Sequence, residues 1–214
     1  AEIPPQTQKA QMSFTGRMER TFQDARCLPL NRCTRYIVFS DCHRGVGNAN
    51  DNFLKNEFLY LAAMGHYNRE CFTCLELGDG DELWENRSLD RIKEAHQESF
   101  EMLARFYEAG RLYLVYGNHD MVKKDPAFLE KNFQTCFCDQ DLCERPLCPG
   151  VRFYPGIILR DSENKQDIYL THGHQADLLN STFWRLSRFL VRYVWRPLEA
   201  LGIPDPTSAA KNNT

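Results

Sequence analysis

No apolar run in this sequence approaches the ~18 residues that would span a bilayer, so a membrane-crossing helix is not expected. Basic residues are not in excess: 26 Lys and Arg stand against 29 Asp and Glu, for a net charge of -3. A protein that coats a polyphosphate backbone is usually strongly basic, which makes nucleic acid an unexpected partner. There is no internal repeat and no low-complexity tract, and Ala1 to Ser13 lacks the apolar core of a secretory signal. Histidine is scarce, six in all, and none stands beyond position 174. Cysteine is the opposite case. Nine thiols cannot all pair within one chain, and the composition reads as that of a reducing, cytoplasmic compartment. With 214 residues, 43% of them hydrophobic, the chain can bury a sizeable core without disulfide staples.

What is present is an alternation of short apolar strands and amphipathic helices, the pattern of a mostly parallel sheet with crossover helices. Residues 1–34 read as an N-terminal arm, loosely ordered or carrying a short helix, 35–176 as an α/β core, and 177–214 as a helical insertion and its end. Strands are expected at Tyr36 to Phe39, Cys71 to Leu77, Leu112 to Tyr116, Ile157 to Leu159 and Ile168 to Leu170. The last two are joined by a polar loop, as in a hairpin. Helices are expected from about Asp51 to Tyr67, from Ser88 or Asp90 to Ala109, briefly after Pro126, and from about Leu178 to Leu201.

Four of the strands run into residues that ligate metals: Asp41-Cys42-His43, Gly78-Asp79-Gly80-Asp81-Glu82, Gly117-Asn118-His119-Asp120 and His172-Gly173-His174. The carboxyl ends of parallel strands gather at one sheet edge, so turns distant in sequence are expected to converge. Carboxylate, amide and imidazole donors suit hard or borderline divalent cations. His66 and His96 fall on predicted helices away from these ends and read as surface or boundary residues. Glu82 orients a ligand, contacts substrate or caps a turn, and stays outside the catalytic set.

In order and context these motifs resemble the calcineurin-like metallophosphoesterases, marked by Asp-x-His, Gly-Asp, Gly-Asn-His-(Asp/Glu) and a lone His; within that family they look most like the UDP-2,3-diacylglucosamine pyrophosphatase branch. The resemblance covers Tyr36 to His174. It implies a sandwich of two mixed β-sheets flanked by helices, with the helical insertion as a lid, and two divalent metal ions, Mn2+ first, with Zn2+, Fe or Ni2+ as alternatives. Asp41 and His43 would hold one ion, Asp79 would bridge, and Asn118 and His172 would hold the other, with His174 a further candidate. His119 would contact phosphate and protonate the leaving oxygen. Asp120 would orient a histidine from behind. The implied reaction is hydrolysis of a phosphomonoester, phosphodiester or pyrophosphate by a metal-bound hydroxide, on a phosphorylated small molecule or nucleotide-linked lipid. A decayed site on a binding or scaffold protein of the same fold is the rival reading, and a nuclease a third.

The family's closing Gly-His-x-His is not found after His174, so the chain reads as a fragment lacking its C-terminal part. Arg185, Arg188, Arg192 and Arg196 recur at helical spacing on one face of the 178–201 helix. That face is expected to clamp phosphate, to lie on an anionic membrane surface, or to be plain solvated charge. Cys136, Cys138, Cys143 and Cys148 lie close enough in sequence for structural zinc, although their spacing is not that of a standard knuckle; Cys71 and Cys74 read as core filling.

Overall fold

The computed structural model describes residues 15, 16, 18–138 and 142–174. The chain is α/β. Its strands are β1 (Arg26–Pro29), β2 (Tyr36–Phe39), β3 (Thr73–Leu77), β4 (Leu112–Val115), β5 (Thr135–Cys138), β6 (Cys143–Pro146), β7 (Phe153–Tyr154), β8 (Ile157–Asp161) and β9 (Gln166–Leu170). The helices are α1 (Glu57–Arg69), α2 (Leu89–Ala95), α3 (Gln97–Glu108) and α4 (Pro126–Asn132), with a 3-10 turn at Met121–Lys124. The central sheet has the order β2-β3-β4-β7, and every pair in it is parallel. A second sheet, β1-β8-β9, pairs β1 with β8 in parallel and β8 with β9 antiparallel. The expectation of two mixed sheets is thus met by only one of them among the described residues.

Strand alternation decides what each face of the central sheet touches. Cys74, Leu112 and Leu114 point into a large cluster with Phe100, Leu103 and Phe106 of α3 and Met64 of α1. Their neighbours Leu75 and Val115 point the other way, onto Leu28, Ile157 and Leu159 of the second sheet. The central sheet therefore has helices on one face and a sheet on the other. Helix α3 ends at Gly110, whose φ of +67° suits glycine. There Arg111 N–H donates to Phe106 O and Gly110 N–H to Tyr107 O, the paired bonds of a Schellman stop. Helix α4 starts as its sequence suggests, with Pro126 in the first turn and Asp125 accepting from Ala127 N–H at 3.0 Å.

Several elements depart from expectation, among them the unforeseen strand β7 beside β4. Strand β1 lies within 1–34, where no strand was foreseen; it is held by pairing with β8, Cys27 facing Ile158. The Cys- and Pro-rich connection contains a hairpin, β5 with β6. The long helix expected up to Ala109 is two helices broken at His96, which is buried at 1% exposure rather than at the surface. His96 Nε2 lies 2.7 Å from Asp51 Oδ2 and Nδ1 lies 2.9 Å from Glu57 Oε1, contacts that outweigh helix continuation. Asp51 also explains why α1 begins late: its carboxylate accepts from Gly47 and Phe53 N–H, a local turn that competes with helix. Cys71 is exposed in a turn before β3, while Cys74 is core as expected.

Leu75 is fully buried between the sheets. Leu75→Ala is expected to cost about 2–5 kcal/mol, read as a lower urea midpoint at unchanged slope.

Candidate metal centre

Strands β2, β3 and β4 end side by side, and their turns continue the pairing: His43 N–H donates to Asp79 O at 2.9 Å and Arg44 N–H to Gly80 O at 3.0 Å. From the other sheet, the end of β9 brings in His172. Its Nε2 lies 3.2 Å from Asp79 Oδ2 and 3.4 Å from Asp41 Oδ1, and His43 Nε2 lies 3.8 and 3.9 Å from the same two oxygens. The donor atoms of Asp41, Asp79 and His172 lie within 4.8 Å of one another, a group that could hold a metal ion, and His43 Nε2 stands at its edge. Donors about 2.1 Å from a tetrahedral cation stand about 3.4 Å apart, so this spacing fits a cation.

Backbone geometry marks the same residues. Asp41, His43 and Asp79 all have positive φ, at 54°, 49° and 50°. Such conformations cost about 1–3 kcal/mol each for residues with a side chain and persist only where the surroundings enforce them. One enforcing contact is visible at Gly117, where a Cβ would lie 2.0 Å from Asp79 Oδ1. Only glycine lets the β4 turn approach so closely, and His119 N–H then donates to that oxygen at 2.8 Å.

Glu82, left outside the set on sequence grounds, is central. Its Oε2 lies 2.9 Å from His43 Nδ1 and 2.7 Å from His119 Nδ1. His43, Glu82 and His119 thus form a second donor group that could hold a metal ion, and the same separations let the Glu82 carboxylate orient the two imidazoles. His119 is also stacked on Trp84 at 4.3 Å and edge-on to His43 at 4.7 Å. Its ring is therefore fixed from several sides. The only advance signal was a carboxylate three residues after Asp79, a spacing that many turns share.

Asp120 is buried, but it does not orient a histidine. Its oxygens accept from Gly117 N–H at 2.7 Å, Gly80 N–H at 3.2 Å and Lys123 Nζ at 2.7 Å. It belongs to a chain of buried charges. Arg44 pairs with Glu76 through both terminal nitrogens at 2.9 Å and with Asp81 through Nε at 2.7 Å, and Lys123 joins Asp81 at 2.6 Å to Asp120.

The remaining expected residues divide. Asn118 is buried at the β4 end as expected. His172 sits beside Asp41 as well as Asp79. His174 is buried, 5.5 Å ring to ring from His172, and belongs to neither donor cluster among the described residues. Arg185, Arg188, Arg192 and Arg196 lie outside the described residues, as does the whole 178–201 segment. Cys136 and Cys148 are in the core while Cys143 is exposed, so these three thiols do not share one metal site.

Electrostatics follow the contacts. Burial opposes ionisation of Asp79, but the hydrogen bond from His172 and the three surrounding histidines hold its pKa below the usual range. Glu82 is held at about 2 against burial by His119 and His43, and Asp81 at about 2 by Arg44 and Lys123. His43 and His172 are raised: burial alone would lower them, but Glu82 and Asp79 outweigh it. Burial, with His172 nearby, lowers His174 to about 4 and keeps it neutral. Asp120 is raised by burial, with Asp79 and Asp81 adding to it against Lys123.

Compared with known proteins, the chain matches no family model, no curated protein and no solved structure. No helix among the described residues is long and apolar enough to cross a membrane.

Lys123→Met would leave Asp81 and Asp120 without their shared cation and is expected to cost about 3–5 kcal/mol in urea unfolding. Because Asp81 and Glu82 are depressed to about 2, their stabilisation is complete above the unfolded carboxylate pKa of ~4 and lost as pH falls toward 2. The raised histidines act oppositely. Their stabilisation is full below ~6.5 and fades as pH rises through their folded values, while affinity for Mn2+, which needs neutral rings, increases over the same interval. Unfolding curves and calorimetric Mn2+ titrations across pH check both.

Proposed function

We propose that the chain is a metal-dependent phosphoesterase built on the calcineurin-like metallophosphoesterase plan, hydrolysing a phosphomonoester, phosphodiester or pyrophosphate. The observation that carries this reading is a pair of adjoining donor groups, Asp41 with Asp79 and His172, and His43 with Glu82 and His119, whose Asp41, His43, Glu82 and His119 border one cleft. A divalent cation held there, Mn2+ or alternatively Zn2+, Fe or Ni2+, would neutralise phosphoryl oxygens and acidify water near neutral pH. Asn118 and His174 are the donors left over for a second ion.

The protein's own groups do the rest. Glu82 Oε2 pairs with His43 Nδ1 at 2.9 Å and lies 2.7 Å from His119 Nδ1, which leaves Nε2 of His43 facing Asp41 and Asp79. The same contact leaves Nε2 of His119 for proton transfer to the leaving oxygen, with Trp84 fixing the ring plane. Asp79 has one oxygen committed to His119 N–H, so its other oxygen is the one turned to the histidine nitrogens.

The test is hydrolysis of bis(p-nitrophenyl) phosphate and p-nitrophenyl phosphate with Mn2+, beside Asp79→Ala and His119→Ala. Asp79→Ala is expected to abolish turnover and weaken Mn2+ binding. His119→Ala is expected to lower kcat about 10²–10⁴-fold with Mn2+ binding retained. Equal rates for the unaltered chain and Asp79→Ala would overturn the proposal, and Mn2+ binding without turnover would favour a scaffold or binding protein on this fold.

A further inference from the structure

Beside the donor cluster opens a cleft of 750 Å³, within the usual size of a small-molecule site. Asp41 and His43 of the cluster border it, with Glu82 and His119. Its lining also takes in Asn48, Asn50, Asn52, Lys55 and Asn56 from a single loop, with Asn86 from the segment after Glu82. Among the described residues lining this cleft there is no leucine, isoleucine, valine or aromatic carbocycle, and Lys55 is the one lysine or arginine. Such a wall gives an acyl chain no apolar surface and a nucleobase no stacking platform. It gives a second phosphate a single cation where polyanions usually meet several. Of the carboxylates that border the cleft, Asp41 belongs to the donor cluster, Asp51 and Glu82 are engaged by His96 and by His43 and His119, and Glu85 sets a negative charge against the positive one of Lys55.

Asn48 Oδ1 accepts from Asn50 N–H and Asn86 Nδ2 donates to Glu82 O, so what the wall offers is chiefly the carboxamides of the exposed Asn50, Asn52 and Asn56, a group type that donates and accepts at once. A hydroxyl does the same, so adjacent hydroxyls are the natural complement of adjacent amides. The wall is also built rather than draped. Along residues 50–54 exposure alternates strictly, Asp51 and Phe53 buried, Asn50, Asn52 and Leu54 outward. Asp51 is pinned by Gly47 N–H, Phe53 N–H and His96, and Phe53 packs edge-on against Tyr60 at 5.2 Å and His96 at 5.1 Å. The loop that carries the amides is therefore anchored at the residues between them, and a ligand binding there has less ordering to bring about.

We infer that the 48–56 loop is a recognition wall for the alcohol portion of the substrate, and that this portion is a neutral polyhydroxylated group, so that the centre acts on phosphate esters of polyols or sugars. The inference rests on the phosphoesterase reading and names its substrate class.

The experiment compares calorimetric binding of myo-inositol 1-phosphate and cyclohexyl phosphate to the full chain loaded with Mn2+, two esters that differ only in ring hydroxyls. The polyol ester is expected to bind at least about tenfold more tightly, and Asn52→Ala with Asn56→Ala, both exposed positions, to remove about three- to tenfold of that preference per residue while cyclohexyl phosphate is unaffected. Equal affinity for the two esters, tighter binding of cyclohexyl phosphate, no binding of either, or a preference that survives both substitutions would overturn the inference. Hydrolysis of p-nitrophenyl phosphate, which has no hydroxyls to read, is followed separately. Its failure alongside a retained polyol preference would sink the reaction but keep the subsite, and its success with no preference would do the reverse.

Discussion

A carboxylate without water around it needs a cation or a set of N–H donors, and this structure meets that need with a buried relay: Glu76, Arg44, Asp81, Lys123 and Asp120. Each of the three central turns contributes a link one or two positions after one of its candidate site residues. Arg44 follows His43, Asp81 stands two past Asp79, and Asp120 follows His119. Through Asp120 the relay also takes up the N–H groups of Gly80 and Gly117. Removing any member strands the others in a medium of low dielectric, so the turns are coupled in position as well as in charge.

That coupling is what permits the strained backbone above it. Positive φ at Asp41, His43 and Asp79 aims these side chains at one point where an ordinary strand exit would splay them. The relay's carboxylates and those of Asp41, Asp79 and Glu82 repel one another. Those carboxylates in turn raise the pKa of His43 and His172 against the effect of burial, so that the imidazoles, when protonated, offset part of the repulsion. A similar economy governs the cleft wall, where the buried Asp51–His96–Glu57 group fixes a loop from behind and leaves its amides outward.

The strand ends were legible because a short apolar run followed by Gly, Asp, Asn or His is a local signal, and parallel strands deliver such ends to one edge. Asp41, His43 and Asp79 followed from that rule, while His172 shares the local signal but arrives from the antiparallel strand β9 of the other sheet. Glu82 did not, since nothing local distinguishes a carboxylate that turns back to two imidazoles from one that caps the next turn. Asp120 was assigned the wrong partner for a like reason: its acceptors are used by backbone N–H groups and Lys123, contacts that exist only once the Gly80 and Gly117 turns abut. His96 sits at helical spacing and reads as helix, but Asp51 and Glu57 reach it from 45 and 39 positions away. Strand β1, with exposure on three of its four residues, has no alternation to announce it and exists through β8.

The sequence by itself determined which atoms can bind a cation, the order in which they arrive along the chain, and the α/β alternation that gathers most of them, because these are properties of residue type and periodicity. Only the tertiary structure decided which oxygens and nitrogens face each other, that Glu82 rather than Asp120 holds the histidines, and that amides line the adjoining cleft. Those outcomes depend on ångström-scale distances between turns. Such distances are set by buried charge and by the space a missing Cβ leaves, and neither is written in local sequence.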